Sequence, residues 1–167
     1  EPNTVSSRLA AAYSITRYSS APTAVPLRVT GQVVVRAIAT IGVIQRDELK
    51  DNFQAVRTLD KALDADPGML KAFQAIDQIL TTERDYERQD RYYRKMLKRA
   101  METKLDDKLV LTLAKGLGEI NRTRLKKYEE AIKAYKIALT KAPDDLQVHT
   151  IVAELFELND QPDKAIA

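Results

Sequence analysis

The sequence contains no cysteine and no tryptophan, a single histidine, five glycines and six prolines in 167 residues. Without thiols, disulfides, thiolate metal centres and cysteine nucleophiles are excluded. One histidine, His149, leaves little material for acid–base or nucleophilic chemistry. Scarce glycine and proline argue against a fold of many strands and tight turns, and for long helices joined by short corners. Long hydrophobic runs are missing too. The most apolar stretch, residues 33–44, is interrupted by Arg36, whereas a membrane-spanning helix needs about 20 apolar residues. No basic start, apolar core and cleavage site mark a signal peptide. The chain opens on Glu1 rather than Met, which suggests an excised fragment or a processed product, and a longer bacterial repeat protein is the expected source. The lack of thiols fixes no compartment, and the cytoplasm is the expectation.

What is present is a chain with 44% hydrophobic and 31% charged residues, a globular composition sized for one domain with its own core. The net charge of +3 is unevenly spread. Residues 84–127 carry fourteen Lys and Arg against seven Asp and Glu, and residues 128–167 carry four against eight. A basic middle is followed by an acidic end.

Apolar periodicity predicts a series of helices. The first covers 4–18, followed by a loop at 19–26. The next begins near residue 33 with Val34, Ala37, Ile38, Ile41 and Ile44 on one face, although its β-branched residues also suit a strand. Residues 47–66 place Phe53, Val56, Leu59, Ala62 and Leu63 inward and stop at Asp66-Pro67-Gly68. Helices follow over 70–80, 86–105, 108–120 and 125–141, the last stopped by Ala142-Pro143-Asp144. Residues 146–158 form another, and 163–167 begin one more.

A repeat underlies this series. Ala131, Tyr135, Ala138 and Pro143 are separated by four, three and five residues, and Ala55, Leu59, Ala62 and Pro67 have the same separations. Ala153, Phe156 and Ala165 follow at three and nine. From about Asp47 onward this spacing resembles the tetratricopeptide repeat family, most closely in KKYEEAIKAYKIALTKAPDD and LQVHTIVAELFELNDQPDKAI. The resemblance implies an all-α fold of antiparallel helix pairs stacked as a right-handed α-solenoid. Residues 1–46 are expected to be an N-terminal helical segment or degenerate repeat, and 47–167 tetratricopeptide-like repeats with the last one truncated. The pattern is disturbed in the middle. Gln89 and Met96 replace small residues, Met101 stands where proline is usual, and five residues too many separate Leu117 from Ala131. That surplus is expected to form a loop at 121–127.

The sequence offers no catalytic, cofactor-binding or metal-binding constellation. His149 falls where the family has a bulky packing residue. Asp106-Asp107 and Asp144-Asp145 directly precede helices, so capping explains them better than metal binding. Gly116 and Gly118 follow no strand and lack a third glycine, so they suit close helix packing better than phosphate binding. The resemblance implies instead a concave groove lined by the first helix of each pair. The partner-binding candidates are Lys71, Gln74 and Gln78, then Lys108, Thr112 and Lys115, then Gln147, Thr150 and Glu154. The asparagines with which the family's best-known groove clamps a C-terminal carboxylate are missing in register, so chaperone-tail binding is not implied. The expected function is a protein–protein interaction scaffold with a protein or peptide partner, an acidic one suiting the mildly basic groove.

The alternative is a nucleic-acid-associated or regulatory module using Arg84, Arg88, Arg91, Lys95 and Lys98, which share one helical face, together with Arg122, Arg124, Lys126 and Lys127. Asp85, Glu87 and Asp90 interleave with these cations, so nucleic acid is not the expected partner; a solvated face with intrahelical ion pairs explains the stripe. A recruiting domain of an enzyme encoded elsewhere in a longer chain is a third reading. Self-association is expected through the truncated C-terminal end, where Ile151, Leu155 and Phe156 would be incompletely covered.

Overall fold

Among the described residues, apolar positions three and four apart fold the chain into a series of helices. The computed structural model describes residues 27–159, with side chains from residue 31 onward. The helix expected over 4–18, the loop at 19–26 and the helix at 163–167 lie outside the described residues. In chain order the elements are α1 (Leu27–Asp47), α2 (Asn52–Ala65), α3 (Leu70–Glu83), α4 (Tyr86–Glu102), α5 (Asp107–Glu119), a π-helical segment (Ile120–Leu125), α6 (Tyr128–Lys141) and α7 (Leu146–Leu158). No strand occurs among the described residues.

Four helix starts are set by aspartate. Asp51, Asp85, Asp106 and Asp145 accept hydrogen bonds from the amides of Gln54, Arg88, Lys108 and Val148, at 3.0, 3.0, 3.1 and 3.2 Å. Each satisfies an amide that has no partner within its helix. Four corners close through a residue in the left-handed region: Lys50, Arg84, Lys104 and Lys126, with φ of 55°, 57°, 51° and 56°. The amide following each of Arg84, Lys104 and Lys126 bonds back to Leu80, Ala100 and Asn121 respectively, closing the helix end. Cations thus occupy positions where glycine is usual, which is how the chain turns corners with so little glycine.

The chain forms two compact units, residues 1–79 and 80–167. In the first, α1 packs along α2. Ala55, Val56, Leu59, Ala62 and Leu63 are fully buried, and Gly42 admits Leu59 against α1, where a Cβ would lie 2.7 Å from Leu59 Cγ. The β-branched run is helical, but its inward face is turned from the predicted one: Val35 is buried while Val34 is 47% exposed. Phe53, expected inside, is 57% exposed and carries the Arg57 guanidinium 5.7 Å from its ring centroid. Although three residues before Val56, position 53 lies about 120° around the helix from the centre of the face formed by Ala55, Val56, Leu59, Ala62 and Leu63.

In the second unit α4 packs on α5, α5 on α6 and α6 on α7. The repeat positions behave as small–large–small packing requires: Ala131, Tyr135 and Ala138 are buried, as are Val148, Val152, Leu155 and Phe156 facing them. Three expectations fail here. Leu155 and Phe156 are covered by α6 rather than left open, and Ile151 is half-buried against the same cluster. Leu146 and Leu158 are the exposed apolar residues of α7. His149 is exposed, not packed, because the inward register of α7 runs through Val148 and Val152; its Nε2 lies 2.7 Å from the Pro143 carbonyl oxygen. The surplus residues 121–127 are not a plain loop: residues 121–125 belong to the π-helical segment that continues α5.

Candidate functional site

In the first unit Lys71, Gln74 and Gln78 are exposed on α3. In the second, Lys108 and Thr112 on α5 and Gln147, Thr150 and Glu154 on α7 are exposed, and Lys115 is half-buried. The Thr112 and Thr150 hydroxyls donate to the Lys108 and Leu146 carbonyls at 2.8 and 2.9 Å, one turn earlier in their own helices. Lys115 Nζ meets Asp145 Oδ2. This ion pair joins the second half of α5 to the N-cap of α7. Lys115 holds the Asp145 carboxylate below its ordinary pKa, with the Val148 amide adding to the effect. The pair thereby links α5 to the start of α7, and polar residues are exposed on both helices. Lys115 is a strut between them rather than a free groove cation.

The far end of this surface is also charged. Glu119 accepts from Arg122 at 3.0 Å and from the Tyr135 hydroxyl at 3.1 Å. Arg122 is held above its ordinary pKa, first by its bond to Glu119, with Glu154 on α7 contributing through the field. Burial, then Glu119, pushes the Tyr135 phenol up to about 12.

One polar group central to this unit was not among the candidates. Asn121, in the π-helical segment, is fully buried, and its amide nitrogen donates to Asp90 Oδ1 at 2.6 Å and to the Leu117 carbonyl at 3.0 Å. Asp90 is itself buried and accepts from Arg94 Nε at 2.9 Å. Arg94 continues to Glu130 at 2.8 Å, and Glu130 to Lys133 at 2.7 Å. Arg94 is raised above its ordinary pKa chiefly by Asp90, and Glu130 is lowered chiefly by Lys133. A signal for Asn121 existed: it falls four residues after Leu117 and eight after Leu113, continuing the buried stripe of α5 past its end.

The insertion grips α4 at three neighbouring points. Asn121 holds Asp90, Lys127 reaches Glu87 at 2.9 Å, and the Arg124 guanidinium lies 5.3 Å from the Tyr86 ring centroid. Much of the basic middle is therefore engaged within the molecule. Arg88 faces Glu83 and Asp85, Lys98 faces Glu102, and Arg122 faces Glu119. Gly116 and Gly118 do serve packing: a Cβ at Gly116 would lie 2.6 Å from the Tyr93 ring, and one at Gly118 2.7 Å from Tyr135. Among the described residues no group of three or more His, Cys, Asp and Glu is placed to hold a metal ion, and no helix is long and apolar enough to cross a membrane.

Comparison with protein-family models finds no match, and no curated protein matches either. Among solved structures, 32 chains are similar. A crystal structure of MamA is 17% identical over 79% of this chain and 72% of its own, with a TM-score of 0.49. A MamA from Desulfovibrio magneticus RS-1, described as residue 41 to the end, is 18% identical over 79% of this chain and 70% of its own, with a TM-score of 0.45. A further structure, described as MamA AMB-1, is 18% identical over 82% and 84%, with a TM-score of 0.47.

Proposed function

We propose that this chain is a non-catalytic interaction scaffold of the tetratricopeptide type that takes a protein or peptide segment along the face shared by α5 and α7. Residues 47–167 form the repeat array in this reading, with the last repeat truncated, and 1–46 a helical segment or degenerate repeat preceding it. The observation that carries it is the Lys115–Asp145 pair. It fastens two first helices together while Lys108, Thr112, Gln147, Thr150 and Glu154 stay exposed beside it. A surface of this kind is already ordered before a partner arrives, so binding loses less entropy than it would on a loop. Lys108 has no described side-chain partner, whereas Glu154 lies in the field of Arg122. That distribution favours an acidic segment on the α5 side.

Site-specific photocrosslinking tests this reading. A benzophenone side chain is placed at Thr112 or Thr150, and as controls at Arg91 or Lys98 on α4, and the protein is irradiated in lysate. The same partner is expected to crosslink from positions 112 and 150 and not from 91 or 98. A partner captured from the α4 positions alone would move the function to the basic stripe and end the α5–α7 assignment.

A further inference from the structure

At the corner between α4 and α5, away from the face just described, lies a cavity of about 450 Å³. Its floor is apolar: Ala100 and Val110 are 0% and 2% exposed, and half-buried Leu105 adjoins them. Met101, 53% exposed, forms a wall. An unbranched thioether is a side chain that adapts to the shape of an incoming group. The rim is charged. Lys141 reaches Asp107 at 2.6 Å, so that pair is largely self-neutralised. Lys104, on the same rim, has no described side-chain partner. Its backbone is held in the left-handed region, with its amide bonded to the Met101 carbonyl at 3.3 Å and the next amide to the Ala100 carbonyl at 2.9 Å. The lysine is therefore rooted at the cavity mouth rather than carried on a loose loop.

Volume, floor and rim together select an occupant. A cavity of this size lies at the small end of ligand-binding pockets. A purely charged ligand would leave the apolar floor unused, and a purely apolar one would leave Lys104 unanswered. We infer that this cavity takes a large apolar side chain of an acidic peptide segment, whose neighbouring carboxylate meets Lys104. This surface does not depend on the α5–α7 face, and its test reads different residues.

The test is a titration of the ¹⁵N-labelled protein with three capped dipeptides, followed by amide chemical shifts. The probes are acetyl-Phe-Asp-amide, acetyl-Phe-Lys-amide and acetyl-Gly-Asp-amide. The first is expected to give saturable shifts at Met101, Leu105 and Val110. The other two should need a concentration roughly three- to tenfold higher for the same shift, the scale of one exposed charge pair or of partial apolar burial. Lys104→Glu should weaken the Phe-Asp probe by about the same factor, and Lys104→Gln by less. Both variants alter an exposed side chain, and their own spectra report whether the fold is retained. Equal shifts from all three probes, shifts confined to other residues, or equal binding by wild type and Lys104→Glu would overturn the inference.

Discussion

Gly116 and Gly118 sit two residues apart on α5, and each accommodates a tyrosine ring, Tyr93 from α4 and Tyr135 from α6. In an open helix, alanine is better than glycine by about 1 kcal/mol. Here overpacking against a ring costs roughly 1–3 kcal/mol and reverses the preference. Gly118→Ala is expected to lower stability in urea unfolding. Gly31→Ala, on α1 with nothing within 4 Å of the new methyl, is expected to raise it by roughly 0.5–1 kcal/mol. Midpoint shifts of the same sign for both variants would contradict the packing role. Tyr135 adds a dependence on pH. Its folded pKa of about 12 lies above the ordinary value of 10.0, so the fold favours the protonated phenol. That contribution is complete below the ordinary value and is lost as pH rises through 10 towards 12. Stability should fall across this alkaline window, and Tyr135→Phe should fall less steeply over the same range.

At the scale of elements, the insertion after α5 is the feature that repeat spacing could locate but not shape. Counting residues from Leu117 to Ala131 exposed a surplus, yet a count carries no information on whether the surplus loops out or extends a helix. The outcome turns on Asn121, a residue ordinarily read as a turn former. Its amide finds Asp90, thirty-one positions earlier, and that long-range bond overrides the local preference. Asn121→Ala removes the bond and leaves Asp90 to Arg94. The expected loss is about 1–3 kcal/mol, with faster amide exchange confined to residues 120–127 and the first turns of α4. Unchanged exchange there would mean that Lys127–Glu87 and Arg124–Tyr86 hold the segment unaided. Other elements were more legible. Residues 146–158 were bounded correctly because Asp145 and Asn159 flank an apolar run, and Ala131, Tyr135 and Ala138 declared their packing through spacing alone. On α2 only Phe53 departs from the expected face, whereas the face of α1 was less legible. Apolar residues on several sides of α1 leave more than one stripe, and only the close approach of Leu59 to Gly42 selects among them.

At the scale of the whole molecule, charge is the property most easily misread from sequence. Residues 84–127 carry a large excess of Lys and Arg, yet Arg88, Arg94, Lys115, Arg122 and Lys127 face acidic partners, those of Lys115 and Lys127 distant in sequence. Long-range pairs such as Lys115–Asp145 are invisible to a linear charge count, which is why Lys115 was read as a groove cation. The same pair links α5 to the N-cap of α7, and the scaffold reading rests on it. The measurement that tests it most directly is the affinity of the crosslinked partner for three proteins: wild type, Lys108→Glu/Thr150→Glu, and Arg91→Glu as a charge reversal on α4. The account predicts that the α5–α7 variant binds about tenfold or more weakly, a change of roughly 1.4 kcal/mol, while Arg91→Glu binds as wild type. Loss of binding in Arg91→Glu with the α5–α7 variant unaffected would contradict it.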